Sequence, residues 1–110
     1  MCNYTTLYHD KNAGYIIHCL DCNNIQLGFG NLAITFTMDA FHDFFRSIQH
    51  IVAGQERSPD PFYKNISLST PCEGIKILLS SNELHQLCGM LDTAETELRS
   101  QELISLFSRQ

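Results

Sequence analysis

The chain has 110 residues, 44% of them apolar and 17% charged, with a formal charge of −5. That is the length and composition of one folded domain rather than a disordered segment. Its seven Lys and Arg are scattered, so a basic surface that would neutralise phosphates is not expected, nor is nucleic-acid binding. No apolar run approaches the ~20 residues that cross a bilayer, so no membrane span is expected.

The start, MCNYTTLYHD, has neither a basic region nor an apolar core of the signal-peptide kind, and five cysteines are an odd number. Both features favour a reducing, cytoplasmic setting over a disulfide framework. Tyr4 to His9 and Tyr15 to Cys19 read as an N-terminal hairpin around the turn Asp10-Lys11-Asn12-Ala13-Gly14.

Next comes the clearest local pattern. Ile25, Leu27 and Phe29 alternate, and Leu32, Ile34 and Phe36 alternate again after Gly30-Asn31. A two-residue turn there pairs Phe29 with Leu32, Leu27 with Ile34 and Ile25 with Phe36, all on one face. On the other face Gly28 meets Ala33, which would leave room for another backbone.

Thr37 is placed to cap a helix, with Asp39 in its first turn and Phe36 and Phe41 as a hydrophobic staple. Phe41, Phe44, Phe45, Ile48 and Val52 form its apolar stripe and Gly54 its stop. GQERSPDP is then a polar loop.

A second unit follows with the same plan. Phe62 to Thr70 reads as a strand, and Ile75, Ile77 and Leu79 as the inward side of the next. Ser80 and Glu83 form a capping box, and Leu84, Leu87, Cys88, Leu91, Ala94 and Leu98 form a stripe. Beyond Leu98 the spacing slips by one residue to Leu103, Ile104 and Phe107, so the helix either breaks near Ser100 or turns its last residues toward a new neighbour. A shift of 43 residues lays the second unit on the first, Thr37 on Ser80 and His42 on His85.

The expected fold class is therefore α+β: an antiparallel sheet built from the N-terminal hairpin and two β-β-α units, with two main helices on one face. Residues 1–110 make one domain, divided into a hairpin with a cysteine cluster (1–23), a first β-β-α unit (24–54) and a second (62–110).

Cys19-Leu20-Asp21-Cys22 is the motif closest to chemistry. Pairing back along the N-terminal hairpin brings Cys2 opposite Cys22, so three thiols gather at one end, with the tetrahedral preference of zinc in mind. Cys72, in the tip of the second hairpin, and His18 are candidates for a fourth ligand. His9 is at the wrong end of the hairpin. A structural zinc site at Cys2, Cys19, Cys22 and Cys72 is one reading and cysteines with no ligand role are a second; a redox dithiol is a third, weakened because the pair precedes a strand rather than a helix N-terminus. No phosphate loop, nucleophile elbow or catalytic triad is visible. Enzymatic activity has no positive support, and an interaction or regulatory module with a protein partner, or a metal-free homodimer, fits better.

The stretch GYIIHCLDCNNIQLGFGNLAITFTMDAFHDFF, with Met1-Cys2 before it, resembles a family of short bacterial proteins of unknown function, of Bacteroidetes type. The shared features are an early cysteine, a C-x-x-C, an I-Q-L-x-F-G strand and a Phe-rich helix. The resemblance covers about the first half of the chain. It implies a bacterial cytoplasmic protein with Cys2, Cys19 and Cys22 in one motif, and no activity.

Overall fold

The computed structural model describes residues 3–54 and 60–108. Cys2 and most of the expected polar loop lie outside these residues. In chain order the elements are β1 (Tyr4–Asp10), β2 (Gly14–Cys19), β3 (Ile25–Phe29), β4 (Leu32–Phe36), α1 (Met38–Gly54), β5 (Ile66–Ser69), β6 (Lys76–Leu79) and α2 (Ser81–Ser108). The expected α+β class is what forms. The six strands are divided between an antiparallel sheet in the order β1-β2-β3-β4 and a second of β5 and β6. β6 comes near the larger sheet at the β3–β4 turn, where Phe29, Gly30 and Leu32 share a cleft with Ile77 and Leu79.

The β3–β4 register is the one that the alternation predicts: Ile25 faces Phe36, Leu27 faces Ile34, and Phe29 faces Leu32. Gly30 takes the positive φ (61°) that a primed turn needs at its first central position. With one sheet face apolar, a slip of one residue would expose all six side chains, so the register is strongly specified.

β1 departs from simple alternation. His9 pairs with Tyr15, but the register shifts between Thr6 and Tyr8, and the strand ends with Tyr4 opposite Cys19. Regular pairing would have set Tyr4 opposite Leu20 and left Leu7 on the outer face. The bulge turns Leu7 inward, where it is 4% exposed, and keeps Tyr8 packed on the core as well.

Both helices start as their caps dictate. The Ala40 N–H donates to Thr37 Oγ1 at 3.2 Å, and the rings of Phe36 and Phe41 meet edge to face, 6.3 Å apart. At α2 the capping box is complete: the Ser80 N–H donates to Glu83 Oε1 at 3.0 Å, and the Glu83 N–H donates to Ser80 Oγ at 3.2 Å. α2 does not break at Ser100 but runs on to Ser108. Phe41, Phe44, Phe45 and Ile48 of α1 join Leu84, Leu87, Leu91, Ala94 and Leu98 of α2 in one core cluster with Ile16, Ile25 and Leu27. Met90, not on the expected stripe, is buried there too.

Three local expectations are corrected. Phe62 and Tyr63 are exposed and precede the strand, because the Asp60 carboxylate accepts the Phe62 N–H at 2.9 Å and bends the chain into a turn. Ile75 is exposed and closes the β5–β6 turn, where its carbonyl accepts from Thr70 Oγ1 at 2.8 Å. The outer face at Gly28 is not open to a second backbone either. Tyr15, paired with Gly28, lays its ring over it, and its hydroxyl donates to Gln26 Oε1 at 3.1 Å.

Candidate functional site: the thiol turn between the second and third strands

The β2–β3 connection is held from several sides. The Cys19 N–H donates to Asn24 O at 2.8 Å and the Asn23 N–H to Cys19 O at 2.9 Å. Asn23 has φ 62°, one of the few side chains that tolerates the left-handed region. The incoming chain is bound to the same turn. Leu20 N–H donates to Asn3 O at 2.7 Å, and Asn3 N–H to Asp21 Oδ2 at 2.8 Å.

Cys19 lies at the centre of this network. Residues of a strand alternate between faces, so Cys19 belongs to the face opposite Ile16, away from the helices. It is nevertheless only 1% exposed, and among the described residues it is the one buried apolar side chain outside the core cluster. The turn itself folds against it: the Cys22 N–H donates to Cys19 Sγ at 3.4 Å. An N–H aimed at sulfur is a contact from which a thiolate gains more than a thiol does, and the thiolate is the form that ligates metals. Cys22 is exposed.

The other expected ligands are placed as follows. Cys72 sits in the β5–β6 turn, exposed, with its N–H on Thr70 Oγ1 at 3.2 Å and its thiol 3.8 Å from Glu73 O. Among the described residues no three His, Cys, Asp or Glu side chains form a group that could hold a metal ion, so Cys72 is not gathered with Cys19 and Cys22. Cys2 lies outside the described residues, though the residue bonded to it, Asn3, is anchored to Leu20 and Asp21 as described. His9 is at the far end of the hairpin, as expected. His18 takes the core face beside Ile25. Its Nε2 lies 2.7 Å from Asn23 Oδ1, an atom that only accepts, so Nε2 is the donor of that bond. Its Nδ1 is buried without a hydrogen-bond partner among the described residues.

Next to the turn, His18, Leu20 and Asn23 face Leu98, Glu102 and Leu106 of α2 across a cleft of about 460 Å³. Sequence reasoning missed this juxtaposition and the part played by Asn23. The signal for Asn23 was an asparagine directly after the second cysteine, where a tight turn needs a left-handed residue.

These features define a small α+β protein whose larger sheet carries a buried cysteine in a tight C-x-x-C turn. The chain belongs to a family of unknown function, DUF6686, whose model matches residues 1–108. No curated protein and no solved structure matches the chain. Among the described residues, no helix is long and apolar enough to cross a membrane.

Proposed function

We propose that the protein is a non-catalytic interaction module of a reducing, cytoplasmic compartment, and that a structural zinc ion held by Cys2, Cys19 and Cys22 closes the end of its N-terminal hairpin. The observation that carries this reading is Cys19, buried outside the hydrophobic core with the Cys22 N–H on its sulfur. A thiol that served only as a small core hydrophobe would lie among apolar side chains, as Cys88 does on α2. The bonds from Leu20 to Asn3 and from Asn3 to Asp21 support Cys2 as the third ligand, because they tie its covalent neighbour to the same turn. Cys72 is left out of the set, since it is not grouped with the other two. The fourth position then falls to a group from a partner, since a structural zinc site is closed by four protein ligands.

A redox dithiol is the competing chemistry. It is less favoured because the turn leads into β3 rather than into a helix whose N-terminus would stabilise a thiolate.

Metal analysis of protein purified without added zinc decides between them. The reading requires about one zinc per chain, lost on Cys22→Ser and kept on Cys72→Ser. A wild-type content below about a tenth of an equivalent, with melting unchanged by chelator, would overturn the metal reading. A reversible Cys19–Cys22 disulfide in that metal-free protein would replace it with the redox one.

A further inference from the structure

The end of α2 presents large apolar side chains to solvent. Leu103, Ile104, Leu106 and Phe107 are 56%, 64%, 60% and 71% exposed. At 100° per residue, Leu103 and Phe107 lie roughly half a turn from the stripe of Leu84, Leu87, Leu91 and Leu98 that enters the core. This is therefore a second face, not the fraying end of the first.

Followed back along the helix, the same face carries Ser100, Thr96, Thr93 and Gly89, all exposed. The positions 89, 93, 96, 100, 103 and 107 alternate steps of four and three, the spacing of a coiled-coil seam. No charged residue falls on that line, while Asp92, Glu97 and Arg99 flank it. The seam has a small half and a bulky half. At Gly89 nothing lies within 4 Å of where a Cβ would be.

We infer that this face is the contact between two copies of the chain, with their α2 helices packed antiparallel about a twofold axis. One register places Phe107 of each copy over Gly89 of the other, Leu103 over Thr93, and Ser100 beside Thr96. Phe107 and Gly89 are separated by about 27 Å along the axis, so both ends of the seam engage at once. An isologous contact must be complementary to itself, and with a seam bulky in one half and small in the other the antiparallel sense sets knob over hole, where a parallel pair would leave Gly89 facing Gly89. The area agrees. Leu103, Ile104 and Phe107, 56–71% exposed, present roughly 350 Å² per copy, and with the small half the pair buries about 1,000 Å², the lower bound of a specific interface. A lipid surface is the poorer occupant, since a formal charge of −5 and the flanking acids repel anionic headgroups.

Sedimentation velocity on the full chain with reductant, from about 1 μM to about 1 mM, tests this. The apparent mass should double from 12.5 kDa across that range. Phe107→Glu removes the knob, and Gly89→Gln fills the hole while improving helix propensity. Each should raise the dissociation constant at least about tenfold, with helical circular dichroism and melting temperature held or, for Gly89→Gln, raised. A wild-type chain that remains at 12.5 kDa throughout, or a dimer indifferent to both variants, would overturn the inference. A dimer weakened by Phe107→Glu but not by Gly89→Gln would overturn the antiparallel register. Retention of a monomeric chain on neutral phosphatidylcholine vesicles would overturn it in favour of a lipid surface.

Discussion

Gly28 gives the sharpest mutational test of the larger sheet. Its φ is not among the positive ones, so alanine meets no backbone strain there and would ordinarily stabilise a strand by about 0.5–1 kcal/mol. The obstacle is Tyr15. A Cβ on Gly28 would collide with Cε1 of that ring and lie 2.6 Å from Cζ and 2.7 Å from Cδ1. The ring must swing away, and with it goes the hydroxyl bond to Gln26 Oε1, worth about 1 kcal/mol. Loss of the ring's packing and a poorer rotamer add about 1–2 kcal/mol. Gly28→Ala should therefore destabilise by about 1–2 kcal/mol net in an otherwise wild-type chain. In a Tyr15→Thr background the same change should be stabilising, so a double-mutant cycle should return a coupling of about 1.5–3 kcal/mol. Urea unfolding of the four proteins measures it. Gly14→Ala is the internal contrast. Its Cβ would strike the Gly28 carbonyl, and its φ is 145°, so Tyr15→Thr should not rescue it. A Gly28→Ala cost that survives in the Tyr15→Thr background would show that the ring is not what excludes a side chain.

The α2 cap carries a pH dependence. Glu83 is held below the usual carboxylate range first by the Ser80 N–H; burial opposes this, and the Lys64 ammonium and the Ser80 hydroxyl add further lowering. A carboxyl depressed in the folded state contributes stability above its unfolded value, and this is lost as pH falls through the folded one. Glu83→Gln should thus cost stability at pH ~7 and close to nothing at pH ~2–3; urea midpoints that differ equally at both would contradict the assignment. The Cys88 thiol is pushed up by burial and, less, by the nearby Asp92 charge. Iodoacetamide at neutral pH should therefore label Cys88 several-fold more slowly than exposed Cys72, as followed by peptide mass spectrometry; equal rates would contradict it.

What could be read from the sequence was local. The β3–β4 register followed from strict alternation about Gly30-Asn31, and both caps followed from a side chain three residues from its partner. Each feature is decided within a few residues, where period and capping chemistry are unambiguous. The separation of β5 and β6 into their own sheet was not readable, because nothing in a short hairpin specifies which distant edge it meets. The slip after Leu98 was visible, and its meaning needed the helix to be seen unbroken: a continuous α2 converts a change of spacing into a change of face. Tyr15 over Gly28 was hidden for a related reason. The glycine announced a close approach, and the approaching group came from the adjacent strand instead of another molecule.

The thiol turn shows how a core requirement sets a site's geometry. Leu7 and Tyr8 are adjacent and both apolar, which a regular strand cannot satisfy, since one of them must face outward. The bulge resolves that conflict by admitting both to the core. Its consequence appears three residues earlier, where the pairing has moved by one and Tyr4, which regular pairing would set opposite Leu20, stands across from Cys19. Asn3 then reaches Leu20 and Asp21, and the turn closes over the sulfur. The position of the incoming chain beside the C-x-x-C is thus set by burial of Leu7, on the other face of the sheet. Any ligand that Cys2 supplies would inherit its register from that apolar contact.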